Sequence, residues 1–203
     1  MTVHNFTQKS LLLLAAGKSS RMGFPKLALL HKDKSHFITH ILVQYQSFGI
    51  SDIVVVVNRE SAQWIQDNIP HIKNECKIIL NTREESERFY SIQVGLQNRT
   101  NTNSSVFIHN VDNPFVDVEI LHLLWKNKNQ AAIIKPTFQG KGGHPVLIDR
   151  QVSEQIILEK DKTRILSDFI KQFSIKSVPV NNSGILLNIN TPEAYKAFVR
   201  SKL

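Results

Sequence analysis

The sequence predicts an α/β fold built on a mostly parallel sheet, and three observations support this prediction. Short aliphatic runs alternate with longer amphipathic stretches along the 203 residues, which is the usual pattern of consecutive βα units. Residues 53–57 are apolar throughout, as expected for a strand that is covered on both faces. No repeat, low-complexity stretch or linker divides the chain, so residues 1–203 are predicted to form a single domain.

The aliphatic runs define the predicted strands, and the amphipathic stretches between them define the predicted helices. Strands are expected at residues 10–15, 53–57, 77–80, 106–108, 131–135, 145–148, 175–179 and 186–189. Helices are expected at residues 37–48, 61–68, 86–98, 118–127, 151–158, 163–172 and 192–202. Gly49 is suited to end the first helix, while Thr191 and Pro192 provide an N-cap and a first-turn proline for the last one.

Composition and charge limit the classes of partner. The formal net charge is +8, but the basic residues are spread along the chain and form no patch with aromatic residues, so no nucleic-acid partner is expected. The single cysteine, Cys76, permits neither an intramolecular disulfide nor a cysteine-based zinc site, which favours a cytoplasmic location. The apolar run at residues 11–16 is much shorter than the roughly 20 residues of a transmembrane helix, so no membrane partner is expected.

A basic loop that contains glycine follows the first predicted strand. Gly17 comes directly after the strand, Gly23 ends the loop, and the polar residues nearby are Lys18, Ser19, Ser20, Arg21 and Lys26. Gly17 can adopt positive φ and let the backbone approach a ligand, while Arg21 and Lys26 would balance phosphate charge. The loop matches neither a Walker A motif nor GxGxxG, and a solvated basic turn is the alternative interpretation.

The segment AAGKSSRMGFPK, at residues 15–26, resembles the LAAGxSxRMGxxK signature of the MobA-like NTP transferases. This resemblance implies a Rossmann-like three-layer sandwich with a mostly parallel central sheet, the fold of nucleotide-diphospho-sugar transferases. It also implies catalytic roles for Arg21 and Lys26, as a cationic clamp that orients the α-phosphorus for in-line attack. The nucleotide-binding residues that it implies here are Leu14, Ala15, Ala16, Gly17, Lys18, Ser19, Ser20, Arg21, Met22, Gly23 and Lys26.

Asp112 is the main candidate for a metal ligand. It follows a predicted buried strand at residues 104–110, so it lies where a parallel sheet presents its ligands. Mg2+ is typically bound by a carboxylate together with substrate phosphates, although an aspartate before a proline-containing turn can also act as a cap. The segment HNVDNP resembles the metal-binding segment of the family, which implies that Asp112 binds Mg2+, contacts the nucleotide and takes part in catalysis.

Residues 188–195, NINTPEAY, resemble the DIDTPEDL segment of the cytidylyltransferase branch, with both aspartates of that segment replaced by asparagine. Asn188 is the second metal ligand that the resemblance implies, and its carbonyl can coordinate a cation without adding negative charge. The guanylyltransferase branch tolerates NINTP at this place, so the replacement is compatible with activity. Thr191 and Pro192 also begin a helix, and the two roles can coexist.

Residues 136–148, PTFQGKGGHPVLI, resemble the GxxGHP segment on the acceptor side of the family. This implies acceptor binding by Gly143, His144 and Pro145. His144 would donate to the acceptor phosphate instead of acting as a general base, because a phosphate nucleophile is already ionised near neutral pH. A loop histidine without a ligand is the alternative. Asp161 and Arg164 partly resemble a further acceptor segment, with helix capping as the alternative.

Residues 87–96, ERFYSIQVGL, resemble the segment that approaches the nucleotide in cytidylyltransferases. The resemblance implies nucleotide contacts by Arg88 and Ser91 and points to a pyrimidine base. Glu87 stands where the molybdopterin-linked enzymes usually have glycine, so the resemblance does not define the loop geometry at this position.

The combined prediction is a Mg2+-dependent nucleotidyltransferase. It would transfer a nucleoside monophosphate from an NTP, with CTP favoured, to a phosphorylated acceptor such as molybdopterin, with release of pyrophosphate. One alternative is a catalytically weakened nucleotide-binding regulatory or accessory protein of the same fold. Another is a nucleotidyltransferase that uses GTP or UTP and a different phosphorylated small molecule, and a more remote one is a basic RNA-binding domain.

Overall fold

The computed structural model describes residues 9–83, 88–161 and 164–201, and within these ranges eight strands form one sheet. The strands are β1 (Lys9–Ala15), β2 (Asp52–Val57), β3 (Lys77–Leu80), β4 (Ser105–Asn110), β5 (Ile133–Phe138), β6 (Lys141–Gly142), β7 (Val146–Ile148) and β8 (Ile175–Pro179). Their order across the sheet is β3-β2-β1-β4-β7-β5-β6, and β8 also pairs with β5.

The strand order reverses next to β1. The chain runs from β1 outward to β2 and β3, then returns to place β4 on the other side of β1, and all of these pairs are parallel. In an open α/β sheet, such a reversal leaves a crevice at the carboxyl ends of the two strands. The fold therefore provides a binding site beyond Ala15 and Asn110.

The other half of the sheet is mixed. β7 runs antiparallel to both β4 and β5, while β8 runs parallel to β5. The turn between β5 and β6 consists of Gln139 and Gly140, whose φ values of 49° and 78° are both positive, as two-residue hairpin turns require. This reversal brings residues 141–148 back onto the sheet, and the mostly parallel α/β fold is confirmed.

Helices cover both faces of the sheet. They are α1 (Phe37–Ser47), α2 (Arg59–Asn68), α3 (Arg88–Gln97), α4 (Val118–Lys126), α5 (Arg150–Leu158), α6 (Leu166–Phe169) and α7 (Pro192–Arg200). Side chains of Asn58, Asp117, Asp149 and Thr191 cap the N-termini of α2, α4, α5 and α7 by accepting a backbone N–H. Gly49, with φ of 81°, follows α1 as predicted.

Alternate residues of β1 enter two separate hydrophobic clusters. Leu11 and Leu13 pack with α1, α2 and α4 on one face, while Leu12 and Leu14 pack with α3 and α5 on the other. Burying each such side chain stabilises the fold by about 1.5–3 kcal/mol. The two clusters confirm the three-layer arrangement. No helix in the described ranges is both long enough and apolar enough to cross a bilayer.

One predicted element was wrong, and another is shorter than predicted. The expected strand at residues 186–189 is replaced by a 3-10 helix, Ser183–Leu186, and irregular chain, because Ile189 N donates to Asp112 O at 2.7 Å and not to a neighbouring strand. The expected helix at 163–172 is limited to α6 and a 3-10 turn, Ile170–Gln172. The starts predicted at Ser86 and Thr163 and the end predicted at Lys202 lie outside the described residues.

Candidate active site

A cavity of about 330 Å³, which we call the nucleotide cavity, lies at the carboxyl ends of β1 and β4. The loop after β1, the turn after β4 and the start of α3 form its walls. Every predicted nucleotide-binding residue lines it except Ser20, Arg21, Met22 and Gly23. The residues that line it are Leu14, Ala15, Ala16, Gly17, Lys18, Ser19, Lys26, Asn81, Arg88, Ser91, Asn110, Val111 and Asp112.

The loop from Gly17 to Gly23, the phosphate loop, turns at an unexpected residue. Positive φ occurs at Ser19 (48°) and Gly23 (64°), and Gly17 does not use the positive φ that glycine permits. Ser19 O accepts from the backbone N–H of both Met22 and Gly23, at 2.8 and 3.1 Å, which closes the turn. A Cβ at Gly17 would meet only Lys26 Nζ, at 3.8 Å. The protein's own packing therefore does not require glycine there.

The N-cap residue of α2 contacts the phosphate loop and stabilises it. Asn58 Nδ2 donates to Gly17 O at 3.1 Å, and Asn58 Oδ1 accepts from Ser61 N at 2.8 Å as the helix cap. One buried asparagine thus connects the loop to the end of β2. Sequence reasoning missed Asn58, although its position directly after a parallel strand was a usable signal.

Lys26 and Asp112 meet at the inner end of the nucleotide cavity. Lys26 Nζ lies 3.4 Å from Asp112 Oδ2 and donates to Asn190 Oδ1 at 2.7 Å. Asp112 Oδ1 is buried and has no hydrogen-bond partner, and an unsatisfied buried carboxylate oxygen costs folding free energy unless a ligand pairs with it. Carboxylate and amide oxygens suit a hard divalent cation, so these residues fit a magnesium site.

A buried histidine supports the turn that carries Asp112. His109 Nε2 donates to Asn113 O at 2.8 Å, which leaves Nδ1 to accept from the Tyr45 hydroxyl at 2.9 Å. Burial is the main cause that lowers the pKa of His109, to about 3, so the ring is neutral. Asn113 Nδ2 in turn donates to Ile185 O at 3.0 Å. This network positions Asp112 without contacting the cavity.

A second cavity of about 430 Å³, which we call the apolar cavity, adjoins the first and shares Leu14, Arg88 and Asn110 with it. Of the predicted acceptor residues, His144 lines this cavity. Gly143 and Pro145 do not. Gly143 instead packs against backbone, since a Cβ there would lie 2.4 Å from Ile185 O. Pro145 follows a cis peptide bond and is buried.

His144 is neutral and has a proton available. Its Nε2 accepts from Asn110 Nδ2 at 3.0 Å, so the ring proton lies on Nδ1, which is buried without a partner. Burial and the positive charge of Arg88 lower the pKa of His144 to about 4. The negative charge of Asp112 acts in the opposite direction and raises this pKa by less. At neutral pH, His144 is therefore a hydrogen-bond donor and not a cation.

One side of the nucleotide cavity is formed by α3 and by Asn81 after β3. Asn81 Nδ2 donates to Ser91 Oγ at 2.9 Å, and Asn81 Oδ1 accepts from Arg83 N at 2.8 Å. Gly95 lets α3 approach β1 closely, because a Cβ there would lie 2.2 Å from a methyl carbon of Leu12. Sequence reasoning missed Asn81. The loop geometry at Glu87, which the sequence analysis considered, lies outside the described residues.

The comparisons with known proteins agree with this geometry. The MobA-like NTP transferase domain matches residues 11–175. The chain belongs to this family. A "Probable molybdenum cofactor guanylyltransferase" of Clostridium perfringens is 24% identical over 212 residues, which cover 96% of this chain and 98% of that protein.

Two further similarities extend the family relationship. The 2-C-methyl-D-erythritol 4-phosphate cytidylyltransferase of Clostridioides difficile is 28% identical over 117 residues, 56% of this chain and 48% of that protein. The crystal structure of Rv0371c from Mycobacterium tuberculosis in complex with manganese superposes with a TM-score of 0.77 at 18% identity, over 96% of this chain and 100% of that one. The relatives of this MobA-like chain thus include guanylyl- and cytidylyltransferases.

Of the two asparagines in the NINTP segment, one contacts a residue of the nucleotide cavity and the other is exposed. Asn190 contacts Lys26, which itself contacts Asp112, whereas Asn188 is exposed and lines neither cavity. The binding of a metal by Asn188 stays a prediction. Asn190 was not predicted as a site residue, and only the fold of residues 183–190 brings it to Lys26.

The remaining predicted site residues lie at the periphery. Ser20, Arg21 and Gly23 are exposed, and Met22 packs partly against the core. Asp161 and Arg164 line neither cavity. Their predicted ligand contacts stay predictions, and Arg21 would have to act from the outer edge of the phosphate loop.

A separate histidine cluster has a structural role. Ligand atoms of His31, Asp33 and His40 lie within 4.8 Å of one another. The rings of His31 and His40 are stacked at 3.7 Å with an angle of 19°, so their in-plane lone pairs run side by side and do not converge on one ion. His40 Nδ1 bonds Asp33 Oδ2 at 2.8 Å, and Ser35 N donates to Asp33 Oδ1 at 2.9 Å. These bonds stabilise the turn before α1.

Proposed function

We propose that residues 1–203 act as one Mg2+-dependent nucleotidyltransferase domain, which transfers a nucleoside monophosphate from an NTP to a phosphorylated acceptor such as molybdopterin. The observation that carries the proposal is the unpaired Asp112 Oδ1 beside Lys26, inside a cavity at the reversal of strand order. The lone, buried Cys76 supports a cytoplasmic location.

The triphosphate would bind along the phosphate loop. Backbone N–H groups near Gly17 and the charges of Lys18 and Lys26 can bind phosphate oxygens, with Arg21 closing over them from the loop's outer edge. Asp112 and the carbonyl of Asn190 or Asn188 would hold Mg2+, which supplies charge neutralisation on the phosphates. Phosphoryl transfer needs orientation and electrostatic stabilisation more than proton transfer, and these residues provide both.

The acceptor phosphate would enter beside His144. One of its oxygens attacks the α-phosphorus and forms a new P–O bond, while the bond between the α-phosphorus and the bridging oxygen breaks and pyrophosphate leaves with that electron pair. His144 Nδ1–H donates to the acceptor phosphate and orients it. Arg88, shared by both cavities, balances its charge.

We propose CTP as the favoured nucleotide. Ser91 Oγ accepts from Asn81, so its own proton is directed elsewhere and can be donated to the O2 carbonyl of a pyrimidine. The cytidylyltransferase similarity supports this choice, while the guanylyltransferase similarity makes GTP the alternative.

Pyrophosphate release from each of the four ribonucleoside triphosphates tests the proposal, with Mg2+ or EDTA and with or without molybdopterin. We expect release that requires both Mg2+ and acceptor, with CTP fastest. NTP binding by calorimetry without release for any acceptor would favour the accessory-protein alternative, which the uncharged Asn188 and Asn190 support. Absence of NTP binding would contradict both.

A further inference from the structure

We propose that the acceptor of this enzyme is an amphipathic monophosphate whose non-phosphate part is apolar. This inference rests on the nucleotidyl transfer proposed above, and it replaces molybdopterin, the example acceptor named there, with an apolar monophosphate. It comes from the lining of the apolar cavity, which lies beside the nucleotide cavity and differs from it in chemistry.

Most of the described residues that line the apolar cavity have hydrocarbon side chains. The strands and α3, α5 and α6 contribute side chains that are aliphatic or aromatic: Phe89, Ile92, Ile108, Ile133, Val146, Ile148, Ile156 and Leu166. A sugar or a pterin placed here would lose water from its hydroxyl or amide groups without gaining partners from these walls. An apolar group would instead gain the free energy of leaving water.

Of the four polar residues in this described lining, Ser167 is exposed on α6, and the other three lie near the junction with the nucleotide cavity. Arg88 and Asn110 line both cavities, and Asn110 bonds His144, whose Nδ1 proton has no partner. A phosphate at this junction would contact the guanidinium and the imidazole and face the α-phosphorus of a bound NTP. The apolar part would extend into the cavity of about 430 Å³, a size typical of small-molecule sites, which span roughly 300–1,000 Å³.

An exposed apolar residue marks the rim. Ile165 lines the cavity but is 54% exposed, so the core does not need it for its own packing. Its exposure matches a site at which part of an apolar ligand would cover it. Ile165 therefore provides a position where the cavity can be altered with little effect on the fold.

Geranyl phosphate and glycerol 3-phosphate provide matched probes, since both carry a phosphate monoester and differ in the attached group. With CTP and Mg2+, and geranyl phosphate below its micelle concentration, we expect pyrophosphate release with a KM at least about tenfold lower than for glycerol 3-phosphate. Calorimetry should also detect geranyl phosphate binding in the absence of turnover.

The variant Ile165→Ser tests the cavity directly. We expect it to raise the KM for geranyl phosphate about fivefold and to leave CTP binding unchanged. Leu158→Ser is the control, because Leu158 is 74% exposed on α5 and lines neither cavity. It should change neither value.

The outcomes separate this inference from the proposed function. Turnover of molybdopterin, with neither binding nor turnover of geranyl phosphate, would overturn the apolar acceptor and leave the nucleotidyltransferase intact. Ile165-dependent binding of geranyl phosphate without pyrophosphate release from any acceptor would support the apolar site and contradict the activity. Equal effects of Ile165→Ser and Leu158→Ser would also overturn the inference.

Discussion

The nucleotide cavity and the apolar cavity share Leu14, Arg88 and Asn110 but are built in different ways. The nucleotide cavity takes most of its residues from one continuous segment after β1 and from the turn that carries Asp112. The described residues of the apolar cavity come from β1 and from seven elements between α3 and the 3-10 turn after α6. The proposed phosphate site thus depends on a short motif, whereas the proposed acceptor site depends on how distant elements pack.

The largest effect is expected on the nucleotide side. Asp112→Asn keeps the shape of the side chain but removes the charge beside Lys26, and we expect kcat for pyrophosphate release to fall about a thousandfold, which is about 4 kcal/mol. Asp67→Asn, on the exposed face of α2, is the control. Equal activity of the two variants would remove Asp112 from the catalytic machinery.

A pair of glycine variants should separate ligand binding from folding. Gly143→Ala places a Cβ against Ile185 O, so we expect the free energy of unfolding to fall by about 2–3 kcal/mol. Gly17→Ala meets only Lys26 Nζ at 3.8 Å and should leave stability unchanged while it weakens NTP binding. Thermal unfolding and calorimetry measure the two effects, and the opposite pattern would contradict our description of both glycines.

Stability should depend on pH through His144. Its folded pKa of about 4 lies below the unfolded value of about 6.5, so the unfolded chain binds the proton first. Unfolding free energy should therefore fall as pH drops from 6.5 toward 4, with about 2 kcal/mol lost by pH 5 through His144 and a similar amount through the buried His109, whose pKa is about 3. Denaturant titrations of His144→Gln should show a shallower loss than wild type, while the exposed His71→Gln should not.

The smallest effect concerns the choice of nucleotide. Ser91→Ala removes the hydroxyl that Asn81 orients, and we expect the KM for CTP to rise about fivefold while that for GTP changes less. Ser167→Ala, which lines the apolar cavity, should leave both values unchanged. If Ser167→Ala reduced the preference for CTP over GTP, or if Ser91→Ala left that preference unchanged, the base would have to bind elsewhere.

Local chemistry explains why much of the nucleotide side could be predicted. The buried run before Gly17, the acidic residue after β4, and the capping residues Asp117 and Thr191 each depend on neighbours within a few positions. The parallel sheet follows from the alternation of strands and helices. These features are determined by the sequence alone because local preference and burial pattern agree.

Long-range contacts decided the rest. Asn190 reaches Lys26 across the fold, and Ile189 N bonds Asp112 O where a strand was expected. The packing role of Gly143 against Ile185 likewise depends on neighbours that meet only after folding. The apolar cavity exists because Ile108, Ile133 and Ile156, far apart in sequence, face one space. Apolar periodicity predicts that such residues are buried, and only the tertiary structure shows that they leave room for a ligand.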